Sequence, residues 1–202
     1  MPEGIEVLSL RDIGFEAEIE ETGTTLEENS AIKASTVAAF VNDGMSASLN
    51  DGMMIDGVFA DDTGLEIDAL GSKPGVYTAR WYKRDEGVTE LTNERDIFAA
   101  NRAKALQELE GKTDRGAQFR TVIILIWTQE SGVKSQDAPL QVSGIVRGRI
   151  AEEEYGNGGF GYDPVFIPEG YDKTFGELPA EIKNSISHRA RALAALVKAL
   201  NR

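Results

Sequence analysis

An α/β fold is predicted for this chain of 202 residues. Three observations point to it: apolar, β-branched runs of strand length, longer segments with helical apolar spacing, and the alternation of the two along the chain. The first run, Gly4-Ile5-Glu6-Val7-Leu8-Ser9-Leu10, alternates as a strand does, and the acidic stretch from Glu16 to Thr25 reads as a loop. Thr24 or Thr25, with Glu27 or Glu28 three residues on, offers a capping box for a helix reaching about Phe40. Ala31, Ala34, Ala38 and Val41 would form its apolar face. Residues 42–57 are broken by Gly, Asn, Asp and Ser and read as an irregular connection or insertion.

Val58-Phe59-Ala60 predicts a short strand that ends at Asp61-Asp62-Thr63-Gly64. Residues 90–109 form a helical stretch, 118–127 a strongly apolar strand, and 142–150 its partner beyond a polar loop containing Gly132 and Pro139. The last helix starts near Ser185 or Ser187, with Ile186, Ala190, Leu193, Leu196, Val197 and Leu200 turned to the core. There is no internal repeat, linker or low-complexity tract.

The formal net charge of −13 opposes binding to polymeric nucleic acid, which relies on Lys and Arg displacing counterions. A small phosphorylated ligand remains compatible, with a carboxylate-held divalent cation as its natural charge partner. The absence of cysteine removes disulfides, thiolate metal sites and Cys nucleophiles. No apolar run approaches a membrane span and the N-terminus lacks a signal pattern, so a soluble, cytoplasmic protein without membrane association is expected.

Three clusters are candidates for chemistry. Asp61-Asp62-Thr63-Gly64 at a strand end can put one carboxylate on a metal and another beside the water it activates, although Asp and Gly are also ordinary turn residues. Glu20, Glu21, Glu27 and Glu28 surround a helix start; solvation explains any one of them. Lys33 could meet phosphate, because the positions four and three before it are the uncharged Asn29 and Ser30. Lys183, His188 and Arg189 in "KNSISHR" suit an anion or the carbonyl of a base, while a lone histidine at a helix start is more often an exposed polar residue. The glycine-rich "NGGFGYDP" at 157–164 can be a turn or a wall against a flat ligand.

Taken in order, "ADDTGLEIDALGSKPGVYTARW", "GGFGYDPVF" and "KNSISHRARAL", with "EETGTTLEENSAIKA" before them, closely resemble the inosine triphosphate pyrophosphatase family, also called XTP/dITP diphosphatases. The resemblance covers nearly the whole chain. It implies a single domain with an elongated, mixed, twisted sheet flanked by helices, two lobes, a substrate cleft between them, and a homodimer. It also implies Mg²⁺-dependent hydrolysis of non-standard purine nucleoside triphosphates (dITP, ITP, XTP) to monophosphate and pyrophosphate, which cleanses the nucleotide pool.

Carried over by motif, Asp62 resembles the general base and a metal ligand. Glu21, with Glu20 as the alternative, resembles the second metal carboxylate, and Thr63 would lie beside the substrate. Lys33 resembles the family's phosphate-binding lysine. Phe160, Gly161, Tyr162 and Asp163 would form the nucleoside wall, with the Phe160 ring stacked on the purine, and Lys183, His188 and Arg189 would complete the base pocket.

The chain departs from the pattern at its start. Family members open with a strand and a Ser/Thr-x-Asn-x-x-Lys loop that grips the triphosphate, whereas Met1-Pro2-Glu3-Gly4-Ile5-Glu6-Val7 resembles the segment after the following helix. A truncated or wrongly started member is therefore expected. The 42–57 stretch is longer than the family's usual connection, and Lys73 stands where a small residue is common. Two other readings compete: a nucleotide-binding remnant without turnover, and a related-fold pyrophosphatase for modified pyrimidine nucleotides.

Overall fold

The computed structural model describes residues 5–43, 55–85, 87–128 and 138–201. Among them an α/β arrangement is realised as a five-stranded sheet in the order β2-β1-β3-β4-β5, with helices packed on it. The strands are β1 (Gly57–Ile67), β2 (Lys73–Gly75), β3 (Gly116–Trp127), β4 (Leu140–Ile150) and β5 (Phe166–Pro168). The helices are α1 (Leu26–Asn42), α2 (Glu94–Glu108), α3 (Ala180–Ile186) and α4 (His188–Leu200). Both edge pairs are antiparallel, Leu65 facing Gly75 and Gly148 facing Pro168. The inner strands are antiparallel as well: the start of β1 meets the end of β3 through Thr128 N–H to Asp56 O, and the end of β4 meets the start of β3 through Ile150 N–H to Arg115 O. The parallel pairing implied by a mixed sheet is not among these strands.

The chain divides into two compact units. The first comprises residues 1–62, 122–143 and 192–202. Its helix α1 begins where capping chemistry dictates: Thr25 accepts from Glu28 N–H at 3.1 Å, and the Glu28 carboxylate accepts from Thr24 N–H at 2.6 Å. One side of this part of the sheet carries α1, where Val37 and Val41 pack with Ile13, Phe15 and Val58. The other side carries α4, whose Ala192 and Leu196 pack with Ile123, Leu125 and Phe59. Coverage of both faces explains why residues 122–125 of β3 are buried without alternation.

Ser30 of α1 is fully buried and fastens the helix to the sheet. Its hydroxyl donates to Ala60 O of β1 at 2.8 Å and accepts Ile124 N–H of β3 at 3.1 Å. A helix side chain thus stands in the ladder where two strand backbones would otherwise meet.

The second unit comprises residues 63–121 and 144–191. Leu65, Ile67, Ala117, Phe119, Val146, Phe166 and Phe175 form its core with Ala105 and Leu109, which follow from the inward face of α2. Asn101 of α2 accepts Tyr82 N–H at 2.8 Å and donates to Ala79 O at 3.0 Å, pinning the 3₁₀ segment Thr78–Arg84.

Four expectations need correction. Residues 5–9 form no strand: Ile5, Val7 and Leu10 are exposed, no described strand pairs with them, and a strand without a partner has nothing to satisfy its backbone. The strand expected to stop at Ala60 runs on to Ile67, because β3 pairs beside it and β2 joins its far end. The last helix starts just after Ser187, one of its two expected starts, but Ile186 belongs to a separate helix before it: Ser187's extended backbone ends α3, and its hydroxyl accepts Ala190 N–H at 3.2 Å to cap α4. Ala31 is only half-buried; Leu26, Val37, Ala34, Ala38 and Val41 carry the buried face of α1. Residues 44–54, most of the predicted insertion, lie outside the described residues, as does Gly132.

Candidate active site

In the first unit, a polar cluster forms where α1 crosses β1. Side chains alternate along a strand, so Asp62 shares the α1 side of β1 with Val58 and Ala60's carbonyl bonding partner Ser30, while Asp61 and Thr63 point the other way. Lys33 lies two turns into α1 and its ammonium bridges two carboxylates, at 2.7 Å from Glu21 Oε1 and 3.0 Å from Asp62 Oδ1. Glu21 comes from the loop before the helix, so the cluster joins three segments that are distant in sequence.

Asn29, one turn before Lys33, completes it. The fully buried Asn29 accepts Gly23 N–H at 2.8 Å and donates to Asp62 Oδ2 at 3.4 Å. Sequence reading treated Asn29 only as an absent partner for Lys33. The signal was its position, since residues four apart share a helix face.

Burial raises the Asp62 carboxyl above the usual range, the negative Glu21 adds to this, and Lys33 and Asn29 oppose it. Burial pulls the Lys33 ammonium down, but its hydrogen bonds and charge attraction to Glu21 and Asp62 outweigh that and hold it above an ordinary lysine. The cluster therefore contains a carboxylate disposed to take up a proton beside a fixed positive charge.

A metal can be tested against these donors. Among the described residues no group of three or more His, Cys, Asp or Glu converges as a cage. Glu21 and Asp62 instead offer two hard oxygen ligands around one point already held by a cation, which fits Mg²⁺ binding through one or two carboxylates together with phosphate and water.

The second unit carries an aromatic and cationic cluster. Gly159 and Gly161 both have positive φ, 72° and 58°, and the loop they bend leaves the Phe160 ring 57% exposed. Asp163, nearly fully buried, accepts Phe160 N–H at 2.6 Å through Oδ2 and pairs with the Lys183 ammonium through the same oxygen. A Cβ on Gly159 would collide with that oxygen, so the site demands glycine. Lys183 sits 4.5 Å from the centre of the Phe160 ring.

The two aromatics of this loop have different duties. Tyr162 is 3% exposed, packs in the core and donates to Thr78 O at 3.2 Å, with burial pushing its phenol up. Tyr162, expected in the nucleoside wall with Phe160, Gly161 and Asp163, has its ring in the core, where it anchors the loop. Thr63 likewise does not join Asp62. Its hydroxyl pairs with that of Thr121 at 2.8 Å, on the sheet face that also bears Phe119.

His188 begins α4, stacks on Phe119 with ring centres 4.8 Å apart, and is 7% exposed. Its Nδ1 is buried without a hydrogen-bond partner. Burial, reinforced by the charges of Arg189 and Lys183, pulls it down to about 3, so it is neutral at physiological pH. The expectation of an exposed polar histidine is thereby excluded. Arg189 is exposed beside it, and Lys183 belongs to α3 rather than to the same helix.

Because the unfolded chain protonates this histidine near 6.5 and the folded chain does not, its contribution to stability is complete above that pH and is lost as pH falls toward about 3. His188 is the sole histidine, so its ring carbon protons are directly assignable by NMR. Their shifts should stay constant from pH 8 to pH 5; a titration near 6.5 would show the ring to be solvated.

Among the described residues no helix is long and apolar enough to cross a membrane. A profile of the Ham1 family matches residues 1–199. The dITP/XTP pyrophosphatase of Chlorobaculum tepidum is 42% identical over 199 residues, covering 96% of this chain and 80% of the relative. That of Bacillus subtilis is 43% identical over 201 residues, covering 98% and 86%. The solved structure of the Staphylococcus aureus Ham1 protein superposes with a TM-score of 0.75 at 34% identity, covering 97% of this chain and 86% of that one. With sequence and structure matched over nearly its full length, the chain belongs to the Ham1 family.

Proposed function

We propose that this protein is a hydrolase that converts non-canonical purine nucleoside triphosphates, dITP, ITP and XTP, to the nucleoside monophosphate and pyrophosphate. The observation that carries this reading is the convergence of Glu21, Lys33 and Asp62. Relatives named dITP/XTP pyrophosphatase support the substrate class.

Asp62 acts as the general base. It accepts a proton from water as the water oxygen bonds to the α-phosphorus; the bond from that phosphorus to the oxygen bridging to the β-phosphate breaks, and pyrophosphate leaves. Asp62's raised proton affinity and its hydrogen bond from Asn29 suit it to receive and orient that proton. Lys33 supplies positive charge to the phosphates, exchanging carboxylate for phosphate oxygen. When bound, Mg²⁺ would neutralise triphosphate charge and polarise the phosphoryl oxygens, with Glu21 and Asp62 as its protein ligands.

The family resemblance assigns the base to Phe160, Lys183, His188 and Arg189. The exposed Phe160 ring offers a stacking surface, with Lys183 supplying charge beside it. A 6-oxo purine presents a carbonyl acceptor and an N1–H donor, where adenine presents an amino donor and an N1 acceptor. Lys183 and Arg189 can donate to the carbonyl but would leave the adenine amino group opposite another donor. The Nδ1 of neutral His188 is a further polar atom that lacks a partner. Mg²⁺ as the metal and a homodimer belong to the same proposal and rest on the family resemblance; a cytoplasmic location belongs to it as well.

The test is pyrophosphate release with Mg²⁺ from dITP, dGTP and dATP at matched concentrations. Release from dITP should exceed that from dATP by about a hundredfold or more in kcat/KM. Equal rates on all three, or orthophosphate as the product, would defeat the reading.

A further inference from the structure

Phe160 lies between two residues with left-handed backbone, Gly159 and Gly161, a pair that gives the loop more conformational freedom than any other residue type would. A ring that is to serve as a fixed stacking surface needs both flanking peptides held. On the N-terminal side the hold is Asp163, through Phe160 N–H. On the C-terminal side Asp163 N–H donates to Phe160 O at 3.1 Å, and the next carbonyl along, Gly161 O, is held from α2: Arg102 Nη1 donates to it at 2.8 Å, a partner 59 residues away in sequence.

Arg102 is itself held. Its Nε lies 2.9 Å from Glu154 Oε1, an electrostatic pair without the alignment of a hydrogen bond, and its side chain is only 14% exposed. The neighbouring Asn101 fixes the 3₁₀ segment 78–84, and Tyr162 bonds back to Thr78 O of that segment. Helix α2 thus grips two loops through consecutive residues, and Arg102 is the one that reaches the glycine-rich loop.

We propose that Arg102 is a positioning residue for substrate binding: by holding the Gly161 carbonyl it fixes the Phe160 ring in the pose that stacks on the purine. It touches no reacting atom and acts through Phe160. This rests on the proposed purine triphosphatase function and assigns to it a residue outside the quoted motifs.

The experiment is steady-state kinetics of the full chain with dITP, together with inhibition by pyrophosphate, which carries no base. Wild-type turnover of dITP is established first; its absence would refute the functional reading and not the role of Arg102 within it. Given turnover, Arg102→Met should raise KM for dITP about tenfold, the range for losing a hydrogen bond to a charged group, with kcat changed less than about threefold. Inhibition by pyrophosphate should be unchanged.

In a Phe160→Ala background, Arg102→Met should add little further increase in KM, because the ring it positions is gone. Arg102→Lys, which keeps the charge but cannot span Gly161 O and Glu154 together, should fall between wild type and Arg102→Met, and it serves if the methionine variant folds poorly. Unchanged KM in both variants would overturn the proposal. So would full additivity with Phe160→Ala, or parallel loss of kcat and pyrophosphate inhibition, each of which marks a general structural role.

Discussion

Asp62→Asn should lower kcat for pyrophosphate release from dITP by about a thousandfold, the middle of the range for losing a general base. The change is nearly isosteric, so packing against α1 is kept, but the amide cannot take a proton from water. The fold should not suffer. Burial already disfavours the Asp62 carboxylate, as its raised proton affinity records, and Lys33 retains Glu21 as a partner. The melting temperature at neutral pH should therefore be equal to or above that of wild type. A coupled pyrophosphate assay and a thermal melt on one preparation test both halves. Retained turnover would remove Asp62 from the chemistry, whereas a large drop in melting temperature would mean that the rate loss reports unfolding.

Asp163→Ala should have the largest effect on stability. One oxygen of this nearly fully buried carboxylate serves the Lys183 ammonium and the Phe160 amide. Truncation strands a partly buried cation and an N–H at once, and breaking a buried pair from one side costs about 3 kcal/mol or more. For a chain of this length that is on the order of 10 °C in melting temperature. Asp163→Asn keeps an acceptor for Phe160 N–H and should lose less. Chemical denaturation of the three proteins measures the order, and an alanine variant as stable as wild type would show that the carboxylate is not the loop's anchor. The same truncation should weaken dITP binding, since Lys183 and Phe160 lose their common tether.

How much of this was legible in advance depended on whether a residue's partner was near in sequence. The capping box of α1 was readable because its members are neighbours: Thr25 accepts Glu28 N–H three residues on, and the Glu28 carboxylate reaches back to Thr24 N–H. The end of β1 was misread because two aspartates interrupt an apolar run. What continues the strand is the pairing of β3 and β2 beside it, and what makes Asp62 tolerable there is Lys33, 29 residues away. The break at Ser187 was hidden because the sequences on both sides favour helix; the capping hydroxyl was visible, but the helix ending before it was not.

Asp62, Glu21 and Lys33 of the first unit's cluster, and Phe160 and Lys183 of the second unit's, were all named from the sequence. Asn29 and Arg102 were not, because a single polar residue inside a helix has no pattern until its partner is known. The burial of the Tyr162 ring was not legible either. Phe160 and Tyr162 look alike in sequence, and only the core cavity filled by Tyr162 separates an anchor from an exposed face.

The hydroxyl of Ser30 between Ala60 and Ile124 changes what it means for the sheet to open. In an ordinary ladder an amide is released to solvent when its neighbouring strand moves away. The Ile124 amide is released when a helix does, so its exchange with water is coupled to the docking of α1 rather than to strand separation. Because the same helix carries Asn29 and Lys33, undocking of α1 frees this amide and also takes apart the Glu21, Lys33 and Asp62 cluster. The protection of a single backbone proton therefore reports how firmly the helix that carries Asn29 and Lys33 stays docked.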